Sequence, residues 1–307
     1  MKISAPVDEK LRLKINQLKK KLDAIIVAHN YQNVEVQEVA DITGDSLELA
    51  REATKLKAEV LVLCGVRFMA ETAAILNPAR TVLLAEEEAG CPMADMISVE
   101  DLKIWKQRYP KATVVCYINS SAEIKAASDY CCTSANAIQI VQAVPNCEIL
   151  FIPDKNLGHY VSTKTDKRIV LYPGYCHVHH RLTREHVIKA REKHPGGVVL
   201  VHPECRAEVI ACADAALSTS QMLQYARESR ASTFLIGTER GLLYRLQKDN
   251  PTKEFYVISE SLTCPDMKRT TLQSVVRTME LCRNVVSVSE ETRIKAKQAL
   301  DRMLSVT

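Results

Sequence analysis

One arrangement recurs three times along the chain, and that recurrence restricts the fold more than any other feature. A short apolar run leads to a turn ending on a cysteine at Val82–Leu83–Leu84–Ala85 with Gly90–Cys91–Pro92, at Leu171–Tyr172–Pro173–Gly174–Tyr175–Cys176, and at Phe255–Tyr256–Val257–Ile258 with Cys264–Pro265. The three cysteines stand 85 and 88 residues apart. Upstream of each, an Asp is followed five residues later by a hydroxyl: Asp41 and Ser46, Asp129 and Ser134, Asp214 and Thr219. Each copy opens on an apolar run ending in polar groups, at His29–Asn30–Tyr31, Tyr117–Ile118–Asn119 and His202–Pro203–Glu204. The period is too long for a solenoid and fits a small domain repeated by duplication.

Between these landmarks, β-branched runs alternate with helical patterns. Strands are expected at 24–28, 60–64, 81–85, 113–117, 148–152, 168–172, 197–201, 233–236 and 254–258. Apolar strands alternating with helices make parallel sheets covered on both faces. The expected architecture is therefore α/β: three pseudo-symmetric, three-layer α/β/α domains around a shared centre. Boundaries fall at 1–106, 107–190 and 191–282, and a closing helix in 283–307 is expected to pack on the first unit. That helix opens on a capping-box pattern, Ser287 to Glu290, and carries Ala296, Ala299, Leu300 and Met303 on one face. At the other end, Leu11, Ile15, Leu18 and Leu22 form an apolar stripe that predicts an amphipathic helix packed on the body. Parallel sheets collect ligands at the carboxyl ends of their strands, where His29, Tyr31, Tyr117, Asn119, His202 and Glu204 all fall.

Composition excludes several classes of function. No uncharged apolar run approaches the roughly 18 to 20 residues that cross a membrane. A net charge of +4 is scattered, with no basic block interleaved with aromatics, so nucleic acid is not an expected partner. Eleven cysteines with no secretion pattern point to a reducing, cytoplasmic setting in which thiols serve packing or metal.

Three thiolates from three domains describe a metal centre with one open position. Zinc accepts three protein ligands plus water, yet catalytic zinc favours His and carboxylate. A [4Fe–4S] cluster with one iron left for substrate suits Cys91, Cys176 and Cys264 better. Cys64 and Cys116 lie in apolar strands and read as core. The vicinal Cys131 and Cys132, with Cys147, Cys205, Cys212 and Cys282, lack partners in the repeat and read as structural. His179, three residues after Cys176, either pairs with it on a metal or reaches the substrate. His177, His180, His186 and His194 are expected at the surface. Ser46, Ser134 and Thr219 each precede a helix, and two readings stand: a cap on the helix amides, or three helix starts converging on an anion.

The chain resembles the quinolinate synthase family over almost its full length. The likeness rests on His29–Asn30–Tyr31–Gln32, Gly44–Asp45–Ser46, Gly90–Cys91–Pro92–Met93, Tyr117–Ile118–Asn119–Ser120–Ser121, Pro173–Gly174–Tyr175–Cys176, His202–Pro203–Glu204–Cys205, Ser218–Thr219–Ser220 and Cys264–Pro265–Asp266–Met267–Lys268. Leu217 departs from the family, which often has Gly there, and leaves the role of Ser218 open. The resemblance implies condensation of iminoaspartate with dihydroxyacetone phosphate to quinolinate, phosphate and water, for NAD biosynthesis. It also implies a [4Fe–4S] Lewis acid and an aspartate-oxidising enzyme that supplies iminoaspartate.

Two carboxylates and a phosphate need donors, which His29, Ser46, Asn119, Ser134, His179, His202 and Thr219 can supply. Tyr31 and Glu204, with Tyr117 assisting, are the expected proton shuttle; that role asks for a raised carboxyl pKa and a lowered phenol pKa. An aconitase-type lyase and an iron–sulfur sensor or electron carrier are the competing readings. Carriers saturate their irons with protein ligands, and only three cysteines here are matched by the repeat.

Overall fold

The computed structural model of the chain describes residues 8–53, 55 and 57–306. The apolar runs gather into three four-stranded parallel sheets, one per copy of the repeat. In the first, β1 (Ala24–His29), β2 (Ile42–Gly44), β3 (Val60–Cys64) and β4 (Thr81–Leu84) lie in the order β2-β1-β3-β4. In the second, β5 (Thr113–Tyr117), β6 (Tyr130–Cys132), β7 (Glu148–Ile152) and β8 (Arg168–Leu171) are ordered β6-β5-β7-β8. In the third, β9 (Val198–Val201), β10 (Ala215–Ala216), β11 (Thr233–Gly237) and β12 (Glu254–Val257) are ordered β10-β9-β11-β12. All nine expected strands are present, each end within one residue. What the sequence reading missed is the edge strand of each sheet, β2, β6 and β10, which are only two or three residues long.

The repeated Asp explains how such short strands hold. Asp41, Asp129 and Asp214 accept the amide N–H of Ile26, Val114 and Val199 at 2.8, 2.8 and 2.7 Å. Each returns its own N–H to the carbonyl of the same residue. A carboxylate on a backbone amide is a charge-assisted bond, and here it staples the edge strand to the first strand of its unit.

A continuous apolar core joins the first and second units. Helix Glu290–Ser305 lies in it with Ala296, Ala299, Leu300 and Met303 buried. This corrects the expected placement on the first unit: the helix packs chiefly on helix Ala122–Ala126 and β6 of the second, and less on helix Arg67–Leu76. Its cap is Ser289, whose Oγ accepts the Thr292 N–H at 3.3 Å, two residues beyond the expected Ser287. The first unit is covered instead by the N-terminal helix Glu9–Leu22, which buries Ile15 and Leu18 and packs against helix Leu272–Leu281. The expected boundaries at 106/107 and 190/191 fall inside the continuous helices Val99–Arg108 and Arg184–Lys193. Two further apolar clusters cover the third unit's sheet, one including Val178, Leu182 and Val187 and the other packed against Tyr31. Polar bonds such as Gln37 Nε2 to the Gly241 carbonyl at 3.1 Å also join the third unit to the first. Among the described residues, no helix is long and apolar enough to cross a membrane.

Candidate active site

The turns after β4, β8 and β12 and the ends of β1, β5 and β9 open onto one cavity, with about 780 Å³ of space not filled by atoms. Cys91, Cys176 and Cys264 all line it, one from each unit. Burial pushes the Cys91 thiol up to about 12 and Cys264 up to about 11, and drives Cys176 well above the ordinary range. The thiols also oppose one another: Cys264 raises Cys91, and Cys91 raises Cys176. Such a donor set ionises only when a cation shares the site.

His29 ends β1 and His202 follows β9, and the two are built alike. Each Nδ1 accepts the amide N–H of the residue two further on, from Tyr31 at 3.1 Å and from Glu204 at 3.3 Å. That bond assigns the proton of the neutral ring to Nε2. Nε2 of His202 then donates to Ser134 Oγ at 3.2 Å, across to the second unit. Burial lowers His29 to about 4 despite the nearby Asp45, and it lowers His202 as well.

Between these histidines runs a chain of hydrogen bonds. The Tyr31 hydroxyl lies 2.6 Å from Thr238 Oγ1, and Thr238 Oγ1 lies 2.8 Å from His179 Nε2. His179 Nδ1 lies 2.6 Å from Glu204 Oε2 and 3.3 Å from Cys176 Sγ. The rings of His179 and His202 stack at 4.6 Å. Tyr117 also bonds to Glu204 and, like Tyr31, is pushed far above its usual range by burial and the neighbouring carboxylate. Burial would raise Glu204, but the imidazoles of His202 and His179 outweigh it and hold the carboxyl well below its usual range. Both directions reverse the expectation of a raised Glu and a lowered Tyr. The physical reason is that these groups solvate one another: His179 Nδ1 lies within hydrogen-bond distance of the Glu204 carboxylate and stabilises its charge, and that charge opposes ionisation of the phenols.

The cavity is also lined by Ser46, Ser134, Thr219, Asn119 and Tyr117, so every residue expected at the site reaches it. The hydroxyls of the repeat are not the caps. In the first unit Asp45 Oδ1 accepts the N–H of Leu47 and Glu48 at 2.9 and 3.0 Å. In the third, Ser218 forms a capping box with Gln221, which gives Ser218 its role in an ordinary extended backbone at φ −66°. In the second, the helix starts only at Ala137 with no side-chain cap, and Thr133 Oγ1 accepts the Ala135 N–H at 3.2 Å in the turn before it. With the first and third helices capped one residue earlier and the second helix beginning beyond Ser134, Ser46, Ser134 and Thr219 line the cavity wall. Thr219 in turn accepts a bond from Asn30 Nδ2 of the first unit at 3.0 Å.

His177 was expected at the surface; it is half-buried and lines the cavity, while His180, His186 and His194 are half-buried outside it. Cys64, Cys116, Cys131, Cys132 and Cys205 are buried, and none of the eleven cysteines is in a disulfide. Sequence reasoning passed over Asp45, Thr238 and Glu239. Asp45 stood in the Gly44–Asp45–Ser46 motif, and the other two follow β11, where the three units carry different residues.

The quinolinate synthetase A protein family matches residues 13–305. The chain belongs to this family. Among curated relatives, the quinolinate synthase of Thermodesulfovibrio yellowstonii is 55% identical over 290 residues, covering 94% of this chain and 96% of that protein. The quinolinate synthase of Dehalococcoides mccartyi strain 195 is 53% identical, covering 96% and 97%. Quinolinate synthase 1 of Methanosarcina acetivorans is 50% identical, covering 95% and 96%. The curated relatives are named as synthases, and this chain is an enzyme with three cysteines lining its cavity and a candidate metal site at Cys176, His179 and Glu204.

Proposed function

We infer that the chain is a quinolinate synthase, condensing iminoaspartate with dihydroxyacetone phosphate and releasing quinolinate, phosphate and two waters for NAD biosynthesis. The observation that carries this reading is one cavity sharing three cysteines from three units with the Tyr31–Thr238–His179–Glu204 chain. Cys91, Cys176 and Cys264 would hold a [4Fe–4S] cluster, whose iron without a protein thiol supplies Lewis acidity to the substrates.

The chain's own residues account for the rest. The Nε2–H groups of His29 and His202, with Asn119, Ser46, Ser134 and Thr219, bind two carboxylates and a phosphate without placing a fixed cation beside them. Near neutral pH, burial keeps Tyr31 protonated while the imidazoles keep Glu204 ionised. Glu204 therefore starts as the base that removes a carbon-bound proton during isomerisation, and Tyr31 as the acid at the departing hydroxyl. Thr238 and His179 carry the proton between them, and Tyr117 steadies Glu204. Iminoaspartate comes from an aspartate-oxidising enzyme in the same cytoplasmic compartment.

Protein purified without oxygen and loaded with iron and sulfide is expected to form quinolinate from the two substrates. Loaded protein that makes none, but dehydrates a hydroxy acid, would move the reading to an aconitase-type lyase. A second reading has its own support: donor atoms of Cys176, His179 and Glu204 lie within 4.8 Å of one another, a set that zinc accepts. Metal and sulfide analysis separates the two, since zinc without sulfide is the outcome of the second.

A further inference from the structure

The position two residues beyond the third strand of each sheet is Val66, Asp154 and Glu239 in the three units. In the second and third units this residue is a fully buried carboxylate. Each takes the amide N–H of its unit's cavity cysteine: Asp154 Oδ2 from Cys176 at 3.0 Å, and Glu239 Oε1 from Cys264 at 3.3 Å. Each also takes an N–H at the start of the following helix with its other oxygen, Asp154 Oδ1 from Leu157 at 2.8 Å and Glu239 Oε2 from Gly241 at 2.6 Å. One carboxylate thus bridges a rigid helix start and the backbone of a cysteine. Glu239 is further paired with Lys268 at 3.1 Å, and Lys268 Nζ also holds the Tyr31 carbonyl of the first unit. At the corresponding place in the first unit, Val66 carries no group that can accept a bond from Cys91.

The packing around the two bridges is tight enough to require glycine. A Cβ on Gly174 would lie 2.6 Å from the Pro153 carbonyl oxygen, where the Cys176 turn crosses the residue before Asp154. A Cβ on Gly241 would lie 2.7 to 2.8 Å from the Tyr31 carbonyl, Glu239 Oε2 and Lys268 Nζ together. Gly90, beside Cys91, has nothing within 4 Å of that point.

We propose that Asp154 and Glu239 are positioning residues that hold Cys176 and Cys264 in place before the inorganic group arrives, leaving Cys91 as the ligand that adjusts to it. A bridged amide fixes its Cα, and with it the arc available to the Sγ; an unbridged turn lets the third thiol close on whatever the first two have seated. The proposal rests on reading the three cysteines as ligands of one iron–sulfur group.

Its test uses the full chain with Asp154→Ser and Glu239→Gln. Serine at a helix N-cap still accepts the Leu157 N–H but has no second oxygen for Cys176. Glutamine leaves a single acceptor for the donors that Glu239 serves. Amide hydrogen exchange on the metal-free proteins is expected to quicken about ten- to a hundred-fold at Cys176 in the first variant and at Cys264 in the second, the loss of one charge-assisted bond. Each variant should leave the other cysteine's amide unchanged, and Cys91 should exchange fastest in the parent. After loading, both variants should hold less iron and sulfide and show an altered EPR spectrum of the reduced cluster, at unchanged far-UV circular dichroism. Unchanged exchange at both amides, or unchanged loading and spectrum, would overturn the proposal. Should Asp154→Ser not fold, Glu239→Gln decides alone. A parent protein that takes up no iron and sulfide would instead refute the ligand reading, and the exchange rates would still judge the bridges.

Discussion

Gly90 and Gly174 each sit just ahead of a cavity cysteine, in opposite surroundings: open space around the first, a carbonyl oxygen 2.6 Å from the site of a Cβ at the second. The contrast extends to the units that hold them. The first and third units deliver a histidine and its neighbour in the same way, His29 with Tyr31 and His202 with Glu204, through the same amide-to-Nδ1 bond. They part company at the cysteine, where Glu239 takes the Cys264 amide and Val66 offers nothing comparable. The first and third units thus share one plan for the groups that line the cavity and differ in the support behind the thiol.

The most severe test of the shared plan is to remove the proton groups at matching positions. Tyr31→Phe and Glu204→Gln are each expected to lower turnover by about 100- to 10,000-fold, the usual worth of a placed acid or base. Iron content should stay that of the parent. If one variant keeps full activity, the matched positions do not share a task. The two glycines come next. Gly174→Ala should cost about 1 to 3 kcal/mol through overpacking, whereas Gly90→Ala should stay within about 0.5 kcal/mol of the parent. Chemical denaturation of the metal-free proteins reads both, and equal losses would erase the contrast.

A pH series probes the histidines. The folded chain holds His29 at about 4, below its unfolded value of 6.5, so the unfolded chain takes up the proton first. The stability contribution is complete above pH 6.5 and is lost as pH falls toward 4. Between pH 7 and 5, His29 alone should remove about 2 kcal/mol at 1.36 kcal/mol per unit, and His29→Gln should flatten that slope. His202 shifts the same way, so a slope that survives in His29→Gln and vanishes in His202→Gln would reassign the effect to the third unit.

The smallest expected effect separates cap from cavity wall. Ser218→Ala should cost about 1 kcal/mol of stability, while Thr219→Ala should raise KM with less effect on unfolding. The reverse result would return the capping role to Thr219.

How much of this was legible follows from what each feature asks of the sequence. Strands such as Val60–Cys64 and Thr113–Tyr117 announce themselves because both faces are buried and nearly every residue is apolar. Ala215–Ala216 cannot, since two alanines carry no pattern; it is held by Asp214, whose signal was visible but whose purpose needed the partner amide of Val199. The cavity cysteines and hydroxyls, with His29 and His202, were found because they recur at matching places in other units, and His179 from its spacing after Cys176. In the first and third units the caps were misplaced by one residue because Asp45 and Ser218 stand directly before hydroxyls equally able to cap; in the second the helix starts only at Ala137, three residues beyond Ser134. Glu239 and Thr238 were missed because Cys64–Gly65–Val66, Ile152–Pro153–Asp154 and Gly237–Thr238–Glu239 share a location without a common residue pattern, and the carboxylate there is Asp in one unit, Glu in another and absent from the first. The closing helix was assigned to the wrong neighbour because an amphipathic stripe shows that a face is covered, not what covers it.

The bonds from His202 to Ser134 and from Asn30 to Thr219 run from one unit into the next. Any single copy, cut free, would own a thiol, a hydroxyl and an unfinished wall. A change at Ser134 is felt first by a histidine 68 residues away in sequence, so no copy can drift without consent from its neighbours.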